Sequence, residues 1–244
     1  MYLVGLDLGQ AADYTALTVL RRQAKVLTQK RLVPGTEIYE REPELAHSLY
    51  HCQLLERVIR MPYPDVIERI LLLLSNPKLL QDGYRLIIDH GGPGAAVGDM
   101  LVDKGVTSIE RIHTTAGDAA TYANGVYRVS KKVLVGNMAI VLQSHRLKIA
   151  KDLPLAGALK NELLNFKMKI TAKGNDTYEA ASEQIHDDLV MAIMMALWSG
   201  ERQFGEERVL KTAIREEVEE ARAEDEGEYN ILDWGSGERS YGDY

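Results

Sequence analysis

Four aspartates stand where a chain of this kind could do chemistry with a cation: Asp7, Asp89 and the tandem pair Asp187 and Asp188. Asp7 sits at the end of the apolar run YLVGLDL, Asp89 closes RLIID, and the tandem pair opens HDDLVMAIMMALW. In an α/β sheet, strand ends and helix starts are where ligands gather. Carboxylate oxygens are hard donors. Three or four of them from distant segments can hold Mg²⁺ or Mn²⁺ and still leave positions for water and a phosphate. Two such ions about 3.5–4 Å apart suit phosphodiester hydrolysis, one activating the attacking water and the other steadying the leaving oxygen.

Each acid taken singly also has an ordinary structural use. Asp7 could open an Asx-turn, and Asp89 could brace the glycine turn behind it. Asp187 or Asp188 could cap the helix and favour its positive end. A cap needs one acid, however, and here two stand in tandem beside His186. Separate caps and turns do not require four acids at the margins of apolar runs.

The surrounding elements decide whether these residues can meet. Residues 2–8 read as a buried strand, and Thr15–Leu20 and Lys25–Val33 as two more, separated by Arg21–Ala24. Together they predict a three-stranded antiparallel meander, stopped by Pro34-Gly35. Residues 36–63 lack a clean period and read as an insertion or irregular loop. Pro64–Leu74 has the marks of a helix, Arg85–Asp89 of a strand, and the glycine turn Gly91–Gly94 leads into a helix that stops at Gly105. Ser108–Ile112 is a further strand. Lys131–Leu142 and Leu155–Asn165 have helical spacing, Phe166–Thr171 alternates like a strand, and His186–Trp198 is a strongly amphipathic helix. Three strands, a helix, then strands joined by helical crossovers is the order of an RNase H-like α/β fold, a central mixed sheet with helices on both faces.

Composition narrows the function classes. The chain has 244 residues, 45% hydrophobic and 27% charged, enough for one sizeable core. No apolar run approaches the roughly 20 residues of a membrane span, and the start MYLVGLDLG does not read as a signal peptide. A single cysteine, Cys52, rules out an intramolecular disulfide and fits a reducing cytoplasm. The net charge of −7 is unevenly placed: from Glu201 onward there are 14 acids and 6 bases, before it 22 acids and 23 bases. The body is close to neutral, so acids gathered at one site would leave a mildly basic remainder that permits phosphate binding. Domain organisation follows as residues 1–204 for the folded body and 205–244 for an acidic tail, read as a solvated helix or disorder.

The three acidic segments, GLDLGQAADYTALTVL, LIIDHGGPGAAVGDML and HDDLVMAIMMALW, resemble the three acidic motifs of the nuclease domain of phage large terminases. Between them IHTTAG, VSKKVLV and LKNELLNFKMKIT are similar to that family's connecting segments, so the resemblance runs over about residues 1–200 in the right order. It implies Mg²⁺- or Mn²⁺-dependent cutting of double-stranded DNA during viral genome packaging, by an enzyme in the cytoplasm of the infected host cell and with no membrane partner. By position it implies two metal ions on Asp7, Asp89 and Asp188, with Asp187 as an auxiliary ligand and Asp13 as a more distant helper. The order of Asp187 and Asp188 stays open. A complete large terminase also carries a packaging ATPase, and no G-x-x-x-x-G-K-[ST] phosphate loop occurs in this sequence. The expectation is therefore an excised domain or a free-standing nuclease, with a separate ATPase, a small terminase or a portal as partners.

Other groups fall around these. Arg128, Lys131, Lys132, Lys148, Lys167, Lys169 and Lys173 could grip a DNA backbone, with Lys131, Lys132 and Arg128 the candidates; each also reads as an ordinary solvated cation. His90 and His186 neighbour proposed ligands and are kept out of the catalytic set. Met191, Met194 and Met195 read as core. Two rivals remain: an ATP-binding protein of the actin, Hsp70 and sugar-kinase kind, whose first phosphate motif GLDLGQAADYT resembles, and a non-catalytic scaffold that binds DNA or packaging partners. The first needs two RNase H-like halves, for which 244 residues are too few.

Overall fold

In the computed structural model, residues 1–9, 13–32, 39–170, 176–180, 186–206 and 241–242 are described. Backbone alone is described at 25–32, 39–46, 167–170, 176–180, 203–206 and 241–242. Strand β1 (Tyr2–Asp7) pairs antiparallel with β2 (Tyr14–Leu32), which pairs antiparallel with β3 (Tyr39–Ile59). Helices α1 (Tyr63–Leu74) and α2 (Pro77–Asp82) lead to β4 (Tyr84–Asp89), which lies parallel to β1 on its other side. Helix α3 (Gly94–Asp103) returns the chain to β5 (Ile109–Thr115), again parallel. A hairpin of β6 (Ala120–Ala123) and β7 (Val126–Ser130) follows, then α4 (Lys131–Gln143) and β8 (Leu147–Ala150). Helix α5 (Ala156–Asn165) precedes a separate hairpin, β9 (Phe166–Ile170) with β10 (Asp176–Ala180). Helix α6 (Asp188–Glu206) closes the body, and β11 (Tyr241–Gly242) pairs antiparallel with β8. The nine-stranded sheet runs β11-β8-β3-β2-β1-β4-β5-β7-β6.

Alternation along the central strands explains why both faces are covered. In β1, Tyr2, Val4 and Leu6 enter a core shared with Val66, Ile67 and Ile70 of α1 and Val97 and Leu101 of α3. Leu3 points the other way, into a core built with Leu134 of α4, Leu159 of α5 and α6. β4 divides likewise, Leu86 and Ile88 to one core and Ile87 to the other. A strand buried on both faces must read as a continuous apolar run. From Leu189 to Trp198 every residue of α6 is buried, as expected of a helix between a sheet and other helices.

Two glycines set the distances. A Cβ at Gly5 would lie 2.2 Å from the Ala192 carbonyl oxygen, so α6 crosses β1 at backbone contact. A Cβ at Gly94 would lie 1.7 Å from the carbonyl oxygen of Asp89, so the turn between β4 and α3 closes only around hydrogen. Further along α6, Arg146 donates to both oxygens of Glu201 at 2.6 and 2.8 Å, and the Tyr50 hydroxyl donates to Glu201 Oε1 at 2.6 Å. That cluster ties the helix to β3 and to the residue preceding β8. Cys52 is buried in β3, its thiol donating to the Leu54 carbonyl at 3.7 Å beside the Thr18 hydroxyl at 3.9 Å.

The antiparallel meander is present, with different residues in it. Thr15–Leu20 and Lys25–Val33, expected as two strands, belong through Leu32 to the single strand β2. The third strand falls in 36–63, expected to be irregular. Arg21–Ala24 read as a break because three of its four residues are polar, yet Arg22 pairs with Tyr50 in the ladder and its Nε donates to Ser48 Oγ at 3.0 Å. In β3 the buried positions Ser48, Tyr50 and Cys52 alternate with His47, Leu49 and His51, a strand pattern obscured because two of the three inward residues carry a polar atom. The β6–β7 hairpin carries its own signal in Asn124-Gly125, both at positive φ (52° and 78°), which a reading by apolar period does not use. The expected helices and the strands at Arg85–Asp89 and Ser108–Ile112 are found within a few residues, except that the last helix, expected to end at Trp198, continues to Glu206. Apart from β11 and the last residues of α6, the acidic tail lies outside the described residues. Among the described residues no helix is long and apolar enough to cross a membrane.

The Gly5 contact yields a stability test. Gly5→Val forces a branched side chain against the α6 backbone and is expected to destabilise the protein by about 1–3 kcal/mol in urea unfolding. Gly136→Ala in α4, where a Cβ meets nothing within 4 Å, is expected to be neutral or stabilising by up to about 1 kcal/mol. Equal stabilities for Gly5→Val and wild type would mean that α6 does not depend on this approach.

Candidate metal centre

Strands β1 and β4 are parallel neighbours with Leu6 opposite Ile88, so their C-terminal residues Asp7 and Asp89 leave the sheet side by side. Helix α6 packs across β1 and brings its N-terminus, with Asp187 and Asp188, to the same end. The charges register this convergence. The Asp7 carboxyl is held well above the ordinary carboxylate range, first by burial, then by the charges of Asp89, Asp188 and Asp187, against a smaller opposing pull from Lys131. The Asp188 carboxyl is raised to about 6, again chiefly by burial and with Asp187 adding to it, while His186, its own backbone N–H and Arg57 oppose the rise. Segments about 80 and 100 residues apart in sequence thus feed one anionic pocket. Charged groups this poorly hydrated repel strongly, because the medium between them screens little.

The ordinary structural uses are divided among these acids and others. Asp89 does brace its glycine turn: the Gly91 N–H donates to Oδ1 at 3.1 Å. The Asp187 carbonyl accepts the first helical bond of α6 from Met191 at 2.8 Å, while its carboxylate pairs with Lys131 Nζ at 3.1 Å. Lys131 also lies 5.4 Å above the Phe166 ring. Capping of α6 falls instead to Glu162 of α5, whose Oε2 accepts the N–H groups of Leu189 and Val190 at 3.1 and 3.2 Å. Asp188 is thereby left without a capping task. Its Oδ2 is buried and has no hydrogen-bond partner among the described residues; His186 Nδ1 stands 3.7 Å away, beyond a hydrogen bond. His90 Nδ1 is likewise buried without a partner.

These residues fit a divalent cation in kind. A buried carboxylate oxygen with no donor, beside an Asp7 carboxyl raised by burial and by the neighbouring acids, is the environment in which a hard cation replaces costly protons or repulsion. They do not form a closed shell: among the described residues no three ligating groups are arranged to hold an ion as they stand. Lys131 engages the Asp187 carboxylate on one side of the pocket.

The remaining expected site residues are scattered. Asp13 is exposed and lines a separate pocket of about 310 Å³ with Gly9, Thr15 and Arg60. Lys132 forms an exposed pair with Asp118 at 2.8 Å. Arg128 is exposed on β7, whose C-terminal end faces the same pole of the sheet as those of β4 and β5. Lys167, Lys169 and Lys173 fall where side chains are not described. Sequence reasoning missed Glu162 and its partner Arg57, which donates to Glu162 Oε1 at 2.8 Å. The signal was an acid three residues after Leu159, on the inward face Ala156–Leu159–Glu162 of α5.

Solved structures share this arrangement of strands and helices. The large terminase nuclease from thermophilic phage G20c with bound magnesium is 21% identical, with a TM-score of 0.54 over 81% of this chain and 80% of that one. The same nuclease with bound cobalt gives 20% identity and a TM-score of 0.53 over 81% and 80%. The large terminase nuclease domain of Thermus phage P74-26 gives 19% identity and a TM-score of 0.50 over 80% and 77%. No protein-family model and no curated protein matches the chain. At such identities the likeness is one of fold, and the fold is the RNase H-like one of the large terminase nucleases.

Burial of the Asp188 carboxyl has a measurable consequence. In metal-free buffer near pH 7.5, Asp188→Asn is expected to be more stable than wild type by about 1–3 kcal/mol, the size implied by a carboxyl held at about 6 rather than 3.8. Urea unfolding in the presence of a chelator measures it; a destabilised variant would show that burial does not hold the Asp188 carboxyl up.

Proposed function

We propose that the chain is a divalent-metal-dependent endonuclease that cuts double-stranded DNA in viral genome packaging. The observation that carries this reading is the convergence of Asp7, Asp89, Asp187 and Asp188 on one end of an RNase H-like sheet. The magnesium and cobalt bound by the phage G20c nuclease support the same class of ion here.

In this reading Asp7, Asp89 and Asp188 hold two ions, Mg²⁺ or Mn²⁺, and Asp187 assists. Bound divalent cations supply a water deprotonated near neutral pH and charge stabilisation for the departing 3′-oxygen. The protein does the rest by placement. Adjacent parallel strands fix Asp7 and Asp89 relative to each other, and α6 delivers Asp188 with Oδ2 unengaged. The Lys131 ammonium offsets one carboxylate and adds a cation beside the pocket that a phosphate could meet. Arg128 and Lys132 contribute positive charge at the same pole; the Lys132–Asp118 pair is exposed, and such pairs hold their partners weakly. Asp13 is an outlying helper at most. A packaging ATPase, a small terminase or a portal would supply translocation and docking within the host cytoplasm. Among the described residues there is a single sheet of this kind, whereas the actin- and kinase-like reading needs two.

Incubating supercoiled plasmid, linear duplex and junction DNA with the protein over a range of Mn²⁺ and Mg²⁺ concentrations tests the proposal. Metal-dependent nicking and linearisation are expected, lowered at least about 10²-fold in Asp89→Asn, which corresponds to roughly 3 kcal/mol of lost transition-state stabilisation. A clean preparation that cleaves nothing at any metal concentration would mean a binding scaffold instead. For the DNA contacts, the double variant Arg128→Ala/Lys132→Ala is expected to weaken duplex binding in Ca²⁺ and to lower the salt slope by about two. An unchanged slope in fluorescence anisotropy removes both residues from the interface.

A further inference from the structure

The start of α6 is held by a ring of side chains that the proposed chemistry does not itself use. Leu189 and Val190, the residues after Asp188, donate their N–H groups to Glu162 Oε2. Glu162 Oε1 accepts from Arg57 Nη1 at 2.8 Å. The Arg57 guanidinium lies 4.3 Å over the Tyr14 ring, and Tyr14 meets His186 edge-on with ring centroids 4.6 Å apart. His186 Nδ1 returns to within 3.7 Å of Asp188 Oδ2, closing the ring. Its members come from β3, β2, α5 and the segment entering α6, so four separate parts of the chain agree on one location for Asp188.

A helix start usually receives its second and third N–H groups on the side chain of the residue before it. That residue here is Asp187, whose carboxylate is turned to Lys131. Glu162 performs the task from another helix, with its side chain only 3% exposed. Both of its oxygens accept hydrogen bonds from the protein. An ordinary surface cap stabilises a helix; a buried cap anchored by a guanidinium also fixes where that helix begins in space.

We propose that Glu162, braced by Arg57, is a positioning residue that sets the location of Asp188 and thereby the metal affinity of the pocket. What Asp188 does with a metal rests on the nuclease reading; what Glu162 does to the helix start rests on the contacts alone.

The test compares Glu162→Leu, Glu162→Gln and Arg57→Met in the full chain by three measurements. Native-state hydrogen exchange in metal-free buffer reads the Leu189 and Val190 amides, calorimetry with Mn²⁺ reads the half-saturating metal concentration, and plasmid cleavage separates kcat from the KM for DNA. Glu162→Leu is expected to speed exchange at the two amides at least about tenfold. It should also raise the half-saturating Mn²⁺ about 10–100-fold, lowering kcat with little change in KM. Glu162→Gln keeps an acceptor oxygen and is expected to recover most of the Mn²⁺ affinity. Arg57→Met leaves the cap but frees its far oxygen, for an intermediate rise. A lower urea midpoint for Glu162→Leu with wild-type amide exchange and wild-type Mn²⁺ half-saturation overturns the proposal, since Glu162 would then be merely structural. If Glu162→Leu does not fold, wild-type Mn²⁺ half-saturation in Arg57→Met overturns it equally, and a raised value supports it. Absence of cleavage by the wild type would sink the nuclease reading, while exchange and Mn²⁺ binding still decide the role of Glu162.

Discussion

Carboxylates brought together away from bulk water repel one another and resist ionising, and the far-raised Asp7 carboxyl records that conflict at the centre of this molecule. Left to itself such a cluster would spread apart. Here the acids sit on elements that cannot easily retreat: two adjacent parallel strands of a sheet buried on both faces, and a helix packed on one of them at backbone contact. The frame's rigidity is what allows an unfavourable charge arrangement to persist.

Helix α6 is the element under most demand, and it is secured along its length by three kinds of force. Its middle is held by dispersion and burial, with every residue from Leu189 to Trp198 out of water. Towards its far end, Glu201 receives two bonds from Arg146 and one from Tyr50. Its start is held by a carboxylate from α5 in place of its own preceding residue. Apolar packing alone tolerates small slides along the helix axis; bonds near both ends do not, because each fails over a few tenths of an ångström.

The legible part of the sequence was the part where chemistry and pattern coincide. Asp7, Asp89 and the tandem pair lie at the margins of apolar runs long enough to declare strand or helix, so both their surroundings and their shared pole could be inferred. β3 was illegible for the opposite reason. It packs Ser48 beside Tyr50 and satisfies it with Arg22 from the neighbouring strand, a match visible only once the strands are paired. Glu162 was hidden similarly, since an acid on a helix reads as solvent-facing until its three donors, 27 and 28 residues on and 105 residues back, are in place. Local pattern announces elements; it does not announce which polar group will satisfy which across the fold. Asp13 illustrates the converse, an acid close in sequence to the first strand that stands at a separate, exposed pocket.

Burial of the lone cysteine has a practical corollary. Cys52 lies in the wall between strand and helix, and its thiol, pushed up to about 12 chiefly by desolvation, is not a thiolate at neutral pH. Maleimides and disulfide-forming oxidants, which attack the thiolate, therefore find no native target in the folded chain. A single cysteine introduced at an exposed site such as Tyr122 on the outermost strand would carry a fluorophore or spin label alone, and the protein arrives already suited to distance measurements without first removing a sulfur from its core.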